Sequence, residues 1–170
     1  MVLAGLVAFI VWAWRVDVVR AEGEAELPRV GFCGPEWVDQ VLSDARGWAK
    51  VVTFERDCER PDFVVVYSSV GLPPGGPAAC WCDEYPKRVI FRDAPPIRRD
   101  GSVAYQMHAW LGHEVGHVLG LDHRDTGIMS PMGYILPFPF PEEVDAVHAL
   151  IVRFGAAEWI RQPLNSTILA

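Results

Sequence analysis

Apolar residues fall along this chain first in one long block, then in short runs, and finally at helical spacing. Met1 to Trp14 is an unbroken stretch of apolar or small residues, ended by Arg15 and Asp17. As a helix it would reach only about 21 Å, short of a hydrocarbon core of about 30 Å but suited to the hydrophobic region of a signal peptide. Val19-Arg20-Ala21 offers a small-residue cleavage pattern before Glu22, although no Lys or Arg precedes the apolar block. Residues 1–21 therefore read as a signal peptide or N-terminal anchor, 22–27 as an exposed acidic spacer, and 28–170 as a single domain.

Within the domain, Arg29 to Cys33 is expected as a short first strand. Pro35-Glu36 opens a helix whose apolar positions Trp37, Val38, Val41, Leu42 and Ala45 recur at helical spacing, with Gly47 as a stop. Val51 to Phe54 reads as a strand. Phe63 to Tyr67 is almost continuously apolar, as for a central strand buried on both faces. Gly71 to Pro77 is a Gly/Pro loop, and Ala79 to Cys82 and Arg88 to Arg92 are two further strands around a turn from Asp83 to Lys87. Ala104 to Leu119 is a long helix. A last helix over about Pro141 to Phe154 places Val144, Val147, Leu150 and Ile151 on one face. The tail from Gly155 holds Trp159 and Ile160 and no chemistry that sequence assigns. This order, one helix after the first strand and then strands before a long helix, is an α+β arrangement.

Composition narrows the picture. Apolar residues make up 51% and charged residues 22%, a globular balance. A net charge of −7 without any Lys/Arg-rich run argues against nucleic acid as partner. Cys33, Cys58, Cys80 and Cys82 fit two disulfides in an oxidising compartment. Cys80 to Cys82 is the least comfortable pairing, since Cα atoms two apart on a strand lie about 6.6 Å from each other. Cys33 and Cys58 each reaching one of that pair is the expected arrangement.

The chemistry is concentrated in His113-Glu114-Val115-Gly116-His117-Val118-Leu119-Gly120-Leu121-Asp122-His123. On a helix, His113 and His117 project from one face a turn apart, where two imidazoles can grip one small cation. Gly120 lets the helix stop and the chain turn, returning His123 as a third ligand. Three histidines with an open fourth position describe a catalytic zinc site. Glu114 lies roughly 100° around the helix from His113, near enough to act on water without being a ligand. Asp122 fits a turn residue better than a second-layer partner, and His108 and His148 fall on other faces.

The pattern HExxHxxGxxH, followed by Met129 in Thr126-Gly127-Ile128-Met129-Ser130-Pro131, resembles the metzincin metallopeptidases, most closely their matrixin branch. The resemblance covers about residues 28–154. It implies a twisted, mostly parallel five-stranded sheet with an antiparallel edge strand, two long helices, a Met-turn and a C-terminal helix. It further implies a zinc endopeptidase: His113, His117 and His123 hold one Zn²⁺, Glu114 is the general base for the zinc-bound water, and Met129 is an apolar floor beneath the ligands. Substrate would lie extended along an edge strand at Ala79, Cys80, Trp81 and Cys82, with Pro131, Met132, Gly133 and Tyr134 as the opposite wall. Cys33-Gly34-Pro35-Glu36 is similar to the inhibitory cysteine segment of matrixin propeptides, yet a strand-and-helix pattern follows at once, so Cys33 is expected in a disulfide. No extra His/Asp set for a second zinc is present, and for calcium the loops carry no firm signature. Secretion, or attachment outside the cell through the N-terminus, follows from the leader and the cysteines. The alternatives from other classes are a catalytically silent zinc-containing peptide-binding module and a metal-dependent hydrolase of a non-peptide bond.

Overall fold

One five-stranded sheet organises the domain. The structure, a computed structural model, describes residues 26–72, 74, 76–95, 98–131 and 136–164. The expected leader or anchor at 1–21, and Met132, Gly133 and Tyr134 of the expected cleft wall, lie outside the described residues. The strands are β1 (Arg29–Cys33), β2 (Thr53–Arg56), β3 (Phe63–Tyr67), β4 (Ala78–Trp81) and β5 (Lys87–Phe91), in the spatial order β2-β1-β3-β5-β4. All neighbouring pairs are parallel except β4 with β5, which leaves an antiparallel strand on one edge. The helices are α1 (Trp37–Leu42), α2 (Tyr105–Val118) and α3 (Pro141–Phe154). The fold is thus α+β, as the residue pattern predicts, and its five-stranded sheet is mostly parallel with one antiparallel edge strand, as the resemblance implies.

Alternation along the strands sends Val30, Phe32, Phe63, Val65, Val89 and Phe91 to one face, where all are buried. Trp37 of α1 meets Phe91 edge-on at 5.3 Å between ring centroids, and Phe32 stacks near Phe63 at 6.0 Å. Against this face lies α2, buried almost all round from Leu111 to Leu119. The indole Nε1 of Trp48 donates to the Gly112 carbonyl at 2.7 Å, fixing the 3₁₀ turn Trp48–Lys50 against α2.

Four expectations need correction. β3 is not buried on both faces: Val66 remains 38% exposed, and its run of valines reflects fitness for a pleated strand rather than two-sided burial. The first helix is short and leaves Ala45 exposed. Asp44 Oδ1 accepts the Arg46 backbone N–H at 2.9 Å, a local turn that competes with a further helical hydrogen bond. The strand expected at Val51 starts two residues later, because Val51 and Val52 are buried in the connection from the 3₁₀ turn.

The cysteines also pair differently, Cys33 with Cys58 and Cys80 with Cys82. Strand order is the reason. β3 and β5 stand between β1 and β4, so at about 4.8 Å per strand Cys33 is some 14 Å from Cys80. It lies instead beside the end of the parallel neighbour β2, with Cα atoms of Cys33 and Cys58 4.8 Å apart. Cys82 lies one residue past β4, where the chain is bent enough to bring its Cα within 5.4 Å of Cys80. Two disulfides fit an oxidising compartment. No helix among the described residues is long and apolar enough to cross a membrane.

Candidate metal centre

The site begins with the way α2 ends. Gly120 has φ +95°, its N–H bonds to the His117 carbonyl at 3.0 Å, and the Leu121 N–H bonds to the Gly116 carbonyl at 2.9 Å. This pair of bonds is a Schellman motif, which satisfies the last carbonyls of a helix and reverses the chain. The reversal has two effects. It aims the Leu121 carbonyl back at His117, whose Nδ1–H donates to it at 2.7 Å. It also returns His123 to the face that carries His113 and His117.

A second main-chain carbonyl treats His113 in the same way. Its Nδ1–H donates to Ile128 at 2.7 Å. With the proton of each ring held on Nδ1, the Nε2 lone pairs are free, and they converge. Nε2 of His113 lies 3.2 Å from that of His117 and 3.3 Å from that of His123, and the His117–His123 separation is 3.2 Å. His113 and His117 cannot hydrogen-bond to each other in these tautomers, so their two Nε2 atoms face one another as acceptors without a donor between them. Tetrahedral Zn–N bonds of 2.0–2.1 Å place nitrogens about 3.3–3.4 Å apart, so the donor set fits a small cation. Among the described residues, this is the group of three side chains arranged to hold one. The geometry admits a metal ion without naming which.

Burial tunes the same groups. It lowers the pKa of His117 to about 4, assisted by the neighbouring His113, and lowers that of His113 as well, so both rings are held neutral. Burial raises the Glu114 carboxyl to about 7, against a backbone N–H from Cys80 of the edge strand that favours its ionised form. Glu114 and all three histidines line one open cavity of about 440 Å³. Its other walls include Ala79 and Cys80 of β4, Trp110 of α2, and Pro131. Trp81 and Cys82 are not among them. Trp81 is 41% exposed at the end of β4 and donates from Nε1 to the Gly71 carbonyl at 3.3 Å, and Cys82 is buried in its disulfide.

Met129 is fully buried against α2, and Gly116 makes room for it. A Cβ on Gly116 would lie 2.1 Å from Met129 Sδ, a distance no packed side chain tolerates. His108 and His148 are placed elsewhere: His108 Nδ1 is 3.7 Å from Asp44, and His148 is exposed on α3. Asp122 lines the cavity, half-buried.

Two residues that build the site escape a reading for chemistry. Glu143 is buried in the first turn of α3 and accepts the backbone N–H groups of Ile128 at 3.3 Å, Met129 at 3.0 Å and Phe140 at 2.7 Å. Its trace in the sequence is an acid at the third helical position, with Pro141 as the first, half of a capping box. Lys87, expected in a polar turn, is buried and donates from Nζ to the Val118 carbonyl at 2.9 Å, capping the last turn of α2. Searches against protein-family models and against curated proteins find no match to this chain.

Proposed function

We propose that this chain is a zinc-dependent endopeptidase of the metzincin type, with His113, His117 and His123 as metal ligands. The observation that carries the reading is the convergence of three Nε2 atoms within 3.3 Å of one another in the same cavity as a buried carboxyl group. A bound zinc ion would act there as a Lewis acid toward a carbonyl and toward water. Glu114 supplies the proton traffic: it receives a proton from water and returns it to the departing amine. Its position is supported by the Cys80 N–H, which ties it to the edge strand. Among the described residues that strand pairs with β5 alone, which supports an extended peptide hydrogen-bonding to main-chain groups along the rest of its other edge. The two disulfides accord with work in an oxidising compartment.

The test is Glu114→Gln in the zinc-loaded protein. Cleavage of a denatured casein-type substrate is expected to vanish while one equivalent of zinc stays bound. Cleavage at the wild-type rate would end the role given to Glu114. Full zinc loading without turnover of any peptide by the wild type would favour a silent binding module.

A further inference from the structure

A second cavity adjoins the one at the histidine cluster. It measures about 290 Å³ and shares two wall residues with its neighbour, Pro77 just before β4 and Trp110 of α2. Helical spacing explains the junction. Met107, Trp110, Glu114 and His117 follow one another on α2 at intervals of three, four and three, so they share one face. Met107 lines the second cavity, Glu114 and His117 line the first, and Trp110 is common to both.

The interior of the second cavity is apolar and built in advance. Met107 and Phe91, both buried, form its floor, and Phe91 is fixed edge-on against Trp37. The side formed by Pro77 is fastened to the end of β5. There the Arg92 backbone N–H donates to the Pro77 carbonyl at 3.0 Å, and its Nε and Nη2 donate to the Gly76 carbonyl at 3.3 and 3.2 Å. Ala94 is exposed at the rim, and Pro131, on the expected opposite wall of the cleft, takes no part in this cavity. Preformed apolar walls with polar groups at the edge are what a small hydrophobic group requires. We infer that the second cavity is a subsite for one large apolar side chain, aromatic or branched aliphatic, of a peptide bound at the histidine cluster, with Trp110 as the partition between that side chain and the metal centre. This rests on the peptidase reading and deepens it by naming the class of residue preferred near the scissile bond. The occupant follows from continuity. A peptide lying against Pro77 and Trp110 in the first cavity already touches two walls of the second. Burying a Phe or Leu side chain there adds a driving force that Gly and Ala lack.

The experiment uses the full zinc-loaded chain and a random peptide mixture whose cleavage sites are mapped. Phe, Trp, Leu or Ile should be preferred over Gly and Ala, about tenfold or more, at one position on one side of the cut. Ala94→Trp plugs the cavity from its exposed rim. In that variant the ratio of kcat/KM for matched peptides with Phe or Gly at the position should fall toward one. Trp110→Ala removes the partition and should move the preference toward the largest side chains, a second reading should Ala94→Trp fold poorly. The absence of any such preference, or one unchanged by both substitutions, would overturn the subsite. Affinities of an Ala/Gly peptide with and without one Phe separate this from a failure of the peptidase reading. A Phe-dependent affinity that is lost in Ala94→Trp, with no cleavage of any peptide, removes the peptidase and keeps the subsite. Cleavage with no apolar preference removes the subsite and keeps the peptidase, and neither binding nor cleavage removes both.

Discussion

Glu143 Oε1 accepts the backbone N–H of Met129 at 3.0 Å, so α3 holds the turn that is hydrogen-bonded to His113. The same carboxyl group takes the Ile128 N–H, and Ile128 in turn presents its carbonyl to His113. The histidine cluster is thus tied to α3 through two consecutive peptide units. Removing the carboxyl group in Glu143→Ala leaves three N–H donors without partners, two of them buried. Each unsatisfied buried donor costs about 1–3 kcal/mol. The expected loss is about 3 kcal/mol or more in chemical denaturation, together with weaker metal binding. Glu142→Ala, an exposed neighbour, should stay within about 0.5 kcal/mol of wild type.

Gly116→Ala should be costly for a different reason. The added methyl meets Met129 Sδ at 2.1 Å and the Trp48 ring at 3.2 Å. Both neighbours are buried, so either the floor or the helix must shift, at about 1–3 kcal/mol. A Met129→Ala change combined with Gly116→Ala should recover part of that loss, since it removes the atoms that clash. A double-mutant cycle of denaturation midpoints measures the coupling.

Lys87 links stability to pH. Burial lowers its pKa to about 8, opposed by the carboxylates of Asp83 and Asp62, whereas in the unfolded chain it should titrate near 10.4. Between these values the unfolded state holds the extra proton, so the contribution of this group to stability rises with pH. Below about pH 8 both states are protonated and the slope disappears. Relative to Lys87→Met, the wild type is expected to gain up to about 3 kcal/mol across the window from pH 8 to 10.5. A difference that is flat or falls across that range would refute the assignment. The measurement is a denaturation series on both proteins.

Metal binding should stabilise the folded state by mass action. At free zinc about 100-fold above its dissociation constant the gain is about 2.7 kcal/mol. It should disappear with a chelator and be lost in His123→Ala. That substitution alters an exposed side chain and leaves the carbonyl contacts of His113 and His117 in place. Thermal unfolding with and without zinc, on both proteins, provides the check.

Much of this arrangement was legible from residue spacing. The four-residue interval between His113 and His117, and the glycine at 120, carry their geometry in the helix repeat and in the steric freedom of one position, both local properties. The strands of the sheet were legible for the same reason, within a residue or two at their ends. The disulfides were not, because pairing depends on which strands are neighbours, and β3 and β5 come between β1 and β4 only in three dimensions. Lys87 and Glu143 were missed because a buried charged group is recognised by its partners. Val118 lies thirty-one residues from the first and Met129 fourteen from the second. Leu164, which lines the cavity of the three histidines, lay in a tail with no local signature.

The two carbonyls that orient His113 and His117 belong to the main chain. No substitution can delete an acceptor of that kind; it can only displace the segment that bears it. Variants that disable the centre while sparing its histidines should therefore gather where those segments are pinned, at Gly116, Gly120, Met129 and Glu143, and the cavity wall around the rings should tolerate far more change.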